Sequence, residues 1–537
     1  MSEEQQGPRT PSRLSRPALG ALGALSGLLA GFASLALAEL VAAAVRPQSS
    51  PVVAVGSASI DRTPAAVKDW AIRNFGTDDK LVLQLGILAV LTLLALALGA
   101  LAVRRRAAGA AGILLFGVIG AAAALTRPDS RGFTDALPSL TGAVAGAALL
   151  YFLAGRLTTP VPTADADGAP AEPGAWDRRG FVIAATSAAA ASAVVGGAGR
   201  SLTSSRAGDA AASRKQVVLP RPGSPAEPVP ARAALRVDGV SPYLTPSKNF
   251  YRVDTALVVP KVDAMAWRLR IHGKGVTRPL TLSFDDLLRR NLIERNITLT
   301  CVSNEVGGPY AGNARWVGVR LADLLAECGV QAPSRGGPAD QLVARSVDGM
   351  TIGTPVEDVM DGRDAMLAVG MNGEPLPFEH GFPVRMVVPG LYGYVSACKW
   401  IQDIELTTFD SYDPYWVKRG WARKAPIKTQ SRIDTPKPFA RPKTGTVMVA
   451  GVAWAQHRGI DKVEIRVDDG PWQEAHLAAE DSRDTWRQWS FPWRADKGSH
   501  TLTVRATDRT GSVQTEKRAR TVPDGASGWH SVVVTVE

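Results

Sequence analysis

Ile297-Thr298-Leu299-Thr300-Cys301-Val302-Ser303-Asn304-Glu305-Val306-Gly307-Gly308 decides how the chain reads. Ile297 to Val302 is a β-branched run and predicts a strand, with Cys301 near its end and a polar, glycine-rich loop directly behind it. A thiolate at a strand end, with backbone room around it, suits a soft metal centre or a nucleophile. A buried, inert cysteine is the plainer alternative. A cysteine protease needs a partnering histidine, and His272 and His380, the two in this region, lack a supporting motif.

Strands and short helices alternate on either side. Trp267 to His272 alternates as a strand, and Ser283 caps a helix over Phe284 to Arg290 with Asp286 three residues on as its reciprocal partner. Leu321 to Glu327 is a helix closed by Cys328-Gly329. Asp348-Gly349 and Asn372-Gly373 mark turns, and Val384 to Val388 is a strand ending at Pro389-Gly390. These elements predict a mixed α+β domain. A second polar constellation lies inside it: His380-Gly381-Phe382-Pro383-Val384-Arg385, then Ser396-Ala397-Cys398-Lys399-Trp400. A histidine, a forked guanidinium, a lysine and a Gly-rich turn within about twenty residues can hold a phosphate or pyrophosphate, or form an ordinary solvated face.

The last hundred residues change character. Thr446 to Trp454, Lys462 to Val467, Trp486 to Trp493, Thr501 to Ala506 and Ser531 to Val536 read as short strands between turn clusters. That spacing predicts an immunoglobulin-like β-sandwich without the paired cysteines of an antibody domain.

Upstream the chain is apolar. Leu81 to Val103, Ala107 to Thr126, Ala136 to Gly155 and Gly180 to Gly199 are uncharged, and Pro17 to Val45 carries only Glu39. Each is long enough to cross about 30 Å of hydrocarbon as a helix, giving five spans. Arg9, Arg13, Arg16, Arg104 to Arg106, Arg156, Arg178 and Arg179 lie on the inner side if the N-terminus is inside. That slight excess over the outer loops favours an inside N-terminus, and an odd number of spans then puts everything after Gly199 outside. Trp176-Asp177-Arg178-Arg179-Gly180-Phe181-Val182 resembles an internal twin-arginine export signal.

The domain reading is therefore 1–16 cytoplasmic tail, 17–199 transmembrane anchor, 200–235 Pro-stiffened linker, 236–430 catalytic domain and 431–537 sandwich. The formal charge of +11 is met by no groove-reading or single-strand motif, so no nucleic acid is expected. Three cysteines exclude an all-cysteine zinc site. All six histidines lie at or beyond His272, so the anchor can hold no histidine-ligated haem.

Ile297 to Asn304, Arg315-Trp316-Val317-Gly318-Val319 and His380 to Arg385 through Lys399-Trp400 resemble the sulfite oxidase family of molybdopterin-dependent oxidoreductases. Gly451-Val452-Ala453-Trp454, Thr485-Trp486 and Gly528-Trp529-His530 resemble its C-terminal dimerisation domain. The resemblance covers about residues 240 to 537. It implies that Cys301 is the thiolate ligand of a molybdenum-molybdopterin centre and the catalytic position. It also implies that His380, Arg385, Ser396 and Lys399 hold the pterin and its phosphate, with Asn249, Tyr251 and Arg252 clasping it from the N-terminal side. Thr351 or Thr354 adds a hydroxyl. One departure bears on substrate: arginines follow the metal cysteine in sulfite oxidases, whereas Asn304-Glu305-Val306-Gly307 stands here, which disfavours an anion such as sulfite or nitrate.

The expected protein is thus a membrane-anchored molybdenum-pterin oxidoreductase with its catalytic domain on the outer face. It is expected to perform oxygen-atom transfer or a related two-electron step on a small or sulfur-containing substrate. A separate redox protein or quinone is its expected electron partner, and its C-terminal domain pairs it as a homodimer. The alternative is a non-enzymatic tethered binding or assembly protein on a degenerate pterin fold. A transporter with a sensor domain is weaker, since Glu39 is the one acid well inside a span.

Overall fold

A computed structural model describes residues 15–64, 67, 70, 74–75, 79–158 and 178–537. It divides into two compact units: Met1–Gly208 with Thr255–Val258, and Asp209–Asp254 with Val259–Glu537. Most of the expected cytoplasmic tail, and Trp176 and Asp177 of the twin-arginine-like stretch, lie outside the described residues.

The first unit is helical. Among the described residues five helices, Arg16–Val45, Lys80–Arg104, Arg106–Leu125, Phe133–Thr158 and Arg179–Gln216, are long and apolar enough to cross a membrane, the last of them continuing past Gly208. Small residues let them approach closely: a Cβ on Gly27 would stand 2.7 Å from the Gly99 Cα, and Gly142 meets Ser34 and Ala38 in the same manner. The polar groups gather where the chain leaves the apolar stretches. Arg46, just after Val45, pairs with Asp129 at 2.9 Å and Asp135 at 3.1 Å, and Arg127 pairs with Asp129 at 2.8 Å. These ion pairs bring together the end of the first helix, the end of Arg106–Leu125 and the start of the Leu137–Thr158 helix.

The expected linker over 200–235 is corrected. The helix Arg178–Gln216 runs on through the Ala-rich stretch, because alanine carries the highest helix propensity even where small residues suggest a flexible tether. The proline-rich remainder belongs to the second unit. Ser224 N donates to Leu292 O at 3.2 Å, Glu294 N donates to Ser224 O at 2.8 Å, and Leu235 N donates to Gln488 Oε1 at 2.6 Å.

In the second unit, two sheets flank one core. One has the order Leu280–Ser283, Arg268–Gly273, Ile401–Thr407, Gln341–Ser346, Thr351–Pro355, with one parallel pair between Arg268–Gly273 and Ile401–Thr407. The other is built on the hairpin Leu292–Thr300 and Ala311–Arg320, continued by Met366–Met371 and its partners. Trp316, Phe284, Leu269 and Phe382 fill the space between them. Local chemistry follows the sequence closely. Ser283 and Asp286 form a reciprocal capping box, and Asn372-Gly373 turns with φ of 53° and 83°.

The C-terminal region forms two four-stranded antiparallel sheets. Val449 and Trp489 of one face Val463, Leu502, Val504 and Val534 of the other in a shared core. Alternate residues point outward, so register is fixed by burial.

Candidate functional site

Cys301 occupies the first position past Thr300, at the mouth of a hairpin loop. Thr300 pairs with Ala311, and Cys301 N donates to Tyr310 O at 2.9 Å, closing the loop at its base. Asn304, 8% exposed, folds inward so that its Oδ1 accepts from Tyr310 N at 2.7 Å, and Asn304 N donates to Cys301 O at 3.0 Å. The thiol is buried, and burial pushes its pKa up against the opposing pull of Ser303 hydrogen bonds and the Lys399 ammonium. A nucleophile needs the opposite shift. A metal ligand does not, since the metal itself displaces the proton.

Three cations or potential cations converge from the segment 378–400. His380 ends a short turn over Phe378–His380 and directs Nε2 at Ser247 O, 2.9 Å away. Burial, then the neighbouring Arg385, lowers its pKa to about 4, so the ring is neutral and Nε2 is the donor. Arg385 begins the strand Arg385–Val387, with its guanidinium 5.0 Å over the Trp316 ring and Nη1 donating to His380 O at 3.2 Å. Burial pushes Arg385 down to about 10. Its Nε has no partner, and no carboxylate pairs with it among the described residues. Lys399 Nζ donates to Glu379 O at 3.1 Å and pairs with Asp254, and burial brings it down to about 8. Gly381 makes the convergence feasible: at φ of 109° its absent side chain would crowd the Arg385 and Lys399 Cβ atoms, each 3.1 Å away.

Tyr251 stacks on Phe250 with centroids 5.1 Å apart, and its hydroxyl is pushed up by burial and by the Cys301 thiol, so it stays protonated. Arg252 shares Asp254 with Lys399, at 3.0 Å. Asn249 closes the turn Ser247–Asn249 and is exposed. Ser396 and Thr351 do not stand among these converging groups by their hydrogen bonds. Ser396 Oγ donates to Leu391 O at 2.9 Å, and Thr351 Oγ1 accepts from Tyr415 N at 3.2 Å and Tyr412 Oη at 3.3 Å. Thr354 donates to Val395 O.

Asp254 was missed in the sequence because it precedes an apolar run with no motif of its own. So was Arg432, whose Nη1 donates to Gly308 O at 2.8 Å from a strand of the C-terminal region. Among the described residues no group of three or more His, Cys, Asp or Glu forms a metal site by itself. Cys301 is thus the one cysteine of the loop, and the buried Arg385, whose Nε has no partner, fits a ligand with an anionic group.

Two family models match the second half of the chain. Residues 256–416 match the family "Oxidoreductase molybdopterin binding domain", and residues 425–537 match the "Mo-co oxidoreductase dimerisation domain". The mitochondrial sulfite oxidase of Rattus norvegicus is 30% identical over 345 residues, 55% of this chain and 62% of that protein. The sulfite oxidase of Arabidopsis thaliana is 28% identical over 346 residues, 53% of this chain and 85% of that one. Among solved structures, the sulfane dehydrogenase SoxCD of Paracoccus pantotrophus aligns with a TM-score of 0.48 at 26% identity, covering 56% of this chain and 84% of that one. The two matched domains define a molybdopterin-binding oxidoreductase with its dimerisation module. The chain belongs to the sulfite oxidase family of molybdopterin oxidoreductases. It spans about 62% of the length of the mitochondrial sulfite oxidases it matches.

Proposed function

We propose that this protein is a membrane-anchored molybdenum-pterin oxidoreductase that moves an oxygen atom to or from a small, sulfur-containing substrate on the outer face of the membrane. The observation that carries the reading is the buried Arg385, without a carboxylate, in the company of Lys399 and a buried thiol at Cys301. When bound, the molybdenum-pterin group supplies the two-electron chemistry.

The chain's own groups then have distinct tasks. Cys301 would hold the metal through its sulfur, with its proton displaced on binding. Arg385 presents an unused Nε–H to an anionic tail, and Lys399 adds a second charge while Asp254 fixes its direction. His380 holds the Ser247–Asn249 turn through Ser247 O, and Tyr251 keeps a protonated hydroxyl beside the thiol. Glu305, exposed on the loop behind Cys301, repels oxyanions and favours a neutral or cationic sulfur compound.

Electrons pass to a separate redox protein or a quinone, since residues 1–271 contain no histidine with which to ligate haem. The C-terminal region, read as an immunoglobulin-like sandwich, pairs two chains. Export uses the twin-arginine route, which carries domains already folded around a cofactor.

The test is metal analysis of the full chain from a host able to make and insert the cofactor. Molybdenum is expected near one per chain, falling to background in Cys301→Ser. Full molybdenum and unchanged activity in that variant would sink the assignment.

A further inference from the structure

We propose that His530 is a positioning residue for the loop that carries Cys301: its ring, seated against Gly307, sets where that loop places the sulfur. Gly307 has φ of 78°, and a side chain there would fall on the His530 ring, with Cε1 at 3.0 Å and Nε2 and Cδ2 nearer still. The ring takes the space that any other residue at 307 would fill. Its orientation is fixed from behind. Nδ1 accepts from Ile433 N at 3.0 Å, so the proton sits on Nε2, the edge turned to Gly307.

The backbone that holds His530 is itself stiff. His530 opens the strand His530–Val536 and pairs with Val504. Trp529, one residue earlier, meets Trp472 edge to face at 4.9 Å, and the guanidiniums of Arg466 and Arg505 lie 5.4 Å and 5.9 Å from its ring. Trp529 Nε1 also donates to Gln514 O at 2.8 Å. Gly528 lies close to the same loop: a Cβ there would stand 3.5 Å from the Val306 Cγ2.

The rest of the loop has other supports. Asn304 ties it to Tyr310, and Arg432 ties Gly308. The turn through Gly307 is closed within itself by Gly308 N, which donates to Glu305 O at 2.8 Å, and the His530 ring is seated against it from outside without hydrogen bonding to Cys301 or to the cations at 380, 385 and 399. It therefore acts on Cys301 through the loop. This rests on the reading of Cys301 as the metal ligand, and its test needs no metal.

The full chain is purified in detergent from a host unable to make the pterin, and maleimide alkylation of each cysteine is followed by peptide mass spectrometry. Cys328 and Cys398, both buried, serve as internal controls. His530→Asn keeps an acceptor for Ile433 N–H but withdraws the ring. Alkylation of Cys301 alone is expected to quicken by about tenfold or more, with melting near that of the parent. Gly307→Ala, which pushes on the same contact from the loop side, should give the same Cys301-specific rise. Unchanged Cys301 labelling in both variants, or a parallel rise at all three cysteines, overturns the proposal. Molybdenum content of Cys301→Ser reports separately on the ligand assignment.

Discussion

Lys399 Nζ lies 2.7 Å from Asp254 Oδ2, with side chains 10% and 4% exposed. Asp254 also pairs with Arg252 at 3.0 Å, so the carboxylate holds two cations. Asp254→Asn, which leaves the buried Lys399 without its carboxylate, should destabilise the folded domain by about 3–5 kcal/mol and Lys399→Met by less, while the double variant should lose clearly less than the sum. A double-mutant cycle from denaturant melts measures this, and strict additivity would show the pair to be uncoupled.

His380 gives the site an acid limit. Its pKa is about 4 when folded against about 6.5 for a free histidine, so the unfolded chain binds the extra proton first. Stability present above pH 6.5 should drain away as pH falls from 6.5 to 4, by on the order of 3 kcal/mol for this group. His380→Gln keeps a donor for Ser247 O and cannot titrate. Its melting temperature should differ less between pH 7 and pH 4.5 than the parent's; an equal difference would assign the acid sensitivity elsewhere.

Gly381→Ala should injure cofactor retention more than folding. The left-handed backbone costs an alanine roughly 1–3 kcal/mol, and the new methyl presses on the two residues proposed to hold the anionic tail. Molybdenum per chain after prolonged dialysis should fall severalfold, whereas a parental ratio would free Gly381 from that role.

Glu305→Arg should make an oxyanion more acceptable. Exchanging an exposed negative charge for a positive one on the Cys301 loop is expected to raise kcat/KM for sulfite by about tenfold or more, with Glu305→Gln intermediate. Steady-state kinetics at low ionic strength would show it, and equal kcat/KM in all three proteins would remove Glu305 from substrate selection.

Topology is open to a reporter active only outside the cytoplasm, fused near residue 240. It should be active in the parent chain and silent once Arg178 and Arg179 are both replaced by lysine. A reporter still active in the lysine variant would indicate insertion without the twin-arginine route.

Much of this architecture was legible because local rules and global packing agree. The Ser283–Asp286 cap, the Leu321–Glu327 helix and the Asn372-Gly373 turn stand where their residue chemistry puts them. Motif resemblance singled out Cys301, His380, Arg385 and Lys399, and of these His380, Arg385 and Lys399 are drawn together around Gly381. What escaped were contacts between residues far apart in sequence. Asp254 pairs with Lys399, Arg432 reaches Gly308, and His530 abuts Gly307, and nothing in the neighbouring letters of those residues reports a partner. The stretch 200–216 escaped for another reason: Ala, Ser and Gly suit both a tether and a helix, and only the folded context decides.

The Arg432–Gly308 bond has a consequence for how this protein can be cut and recombined. Arg432 is 8% exposed and is held by Asp434 at 2.7 Å, so the arm that grips the ligand loop is rooted in the C-terminal strands. The two matched domains are therefore not interchangeable modules. A chimaera carrying a foreign C-terminal domain, or a truncation ahead of Gln430, would keep every proposed pterin contact yet leave the ligand loop without its outer brace.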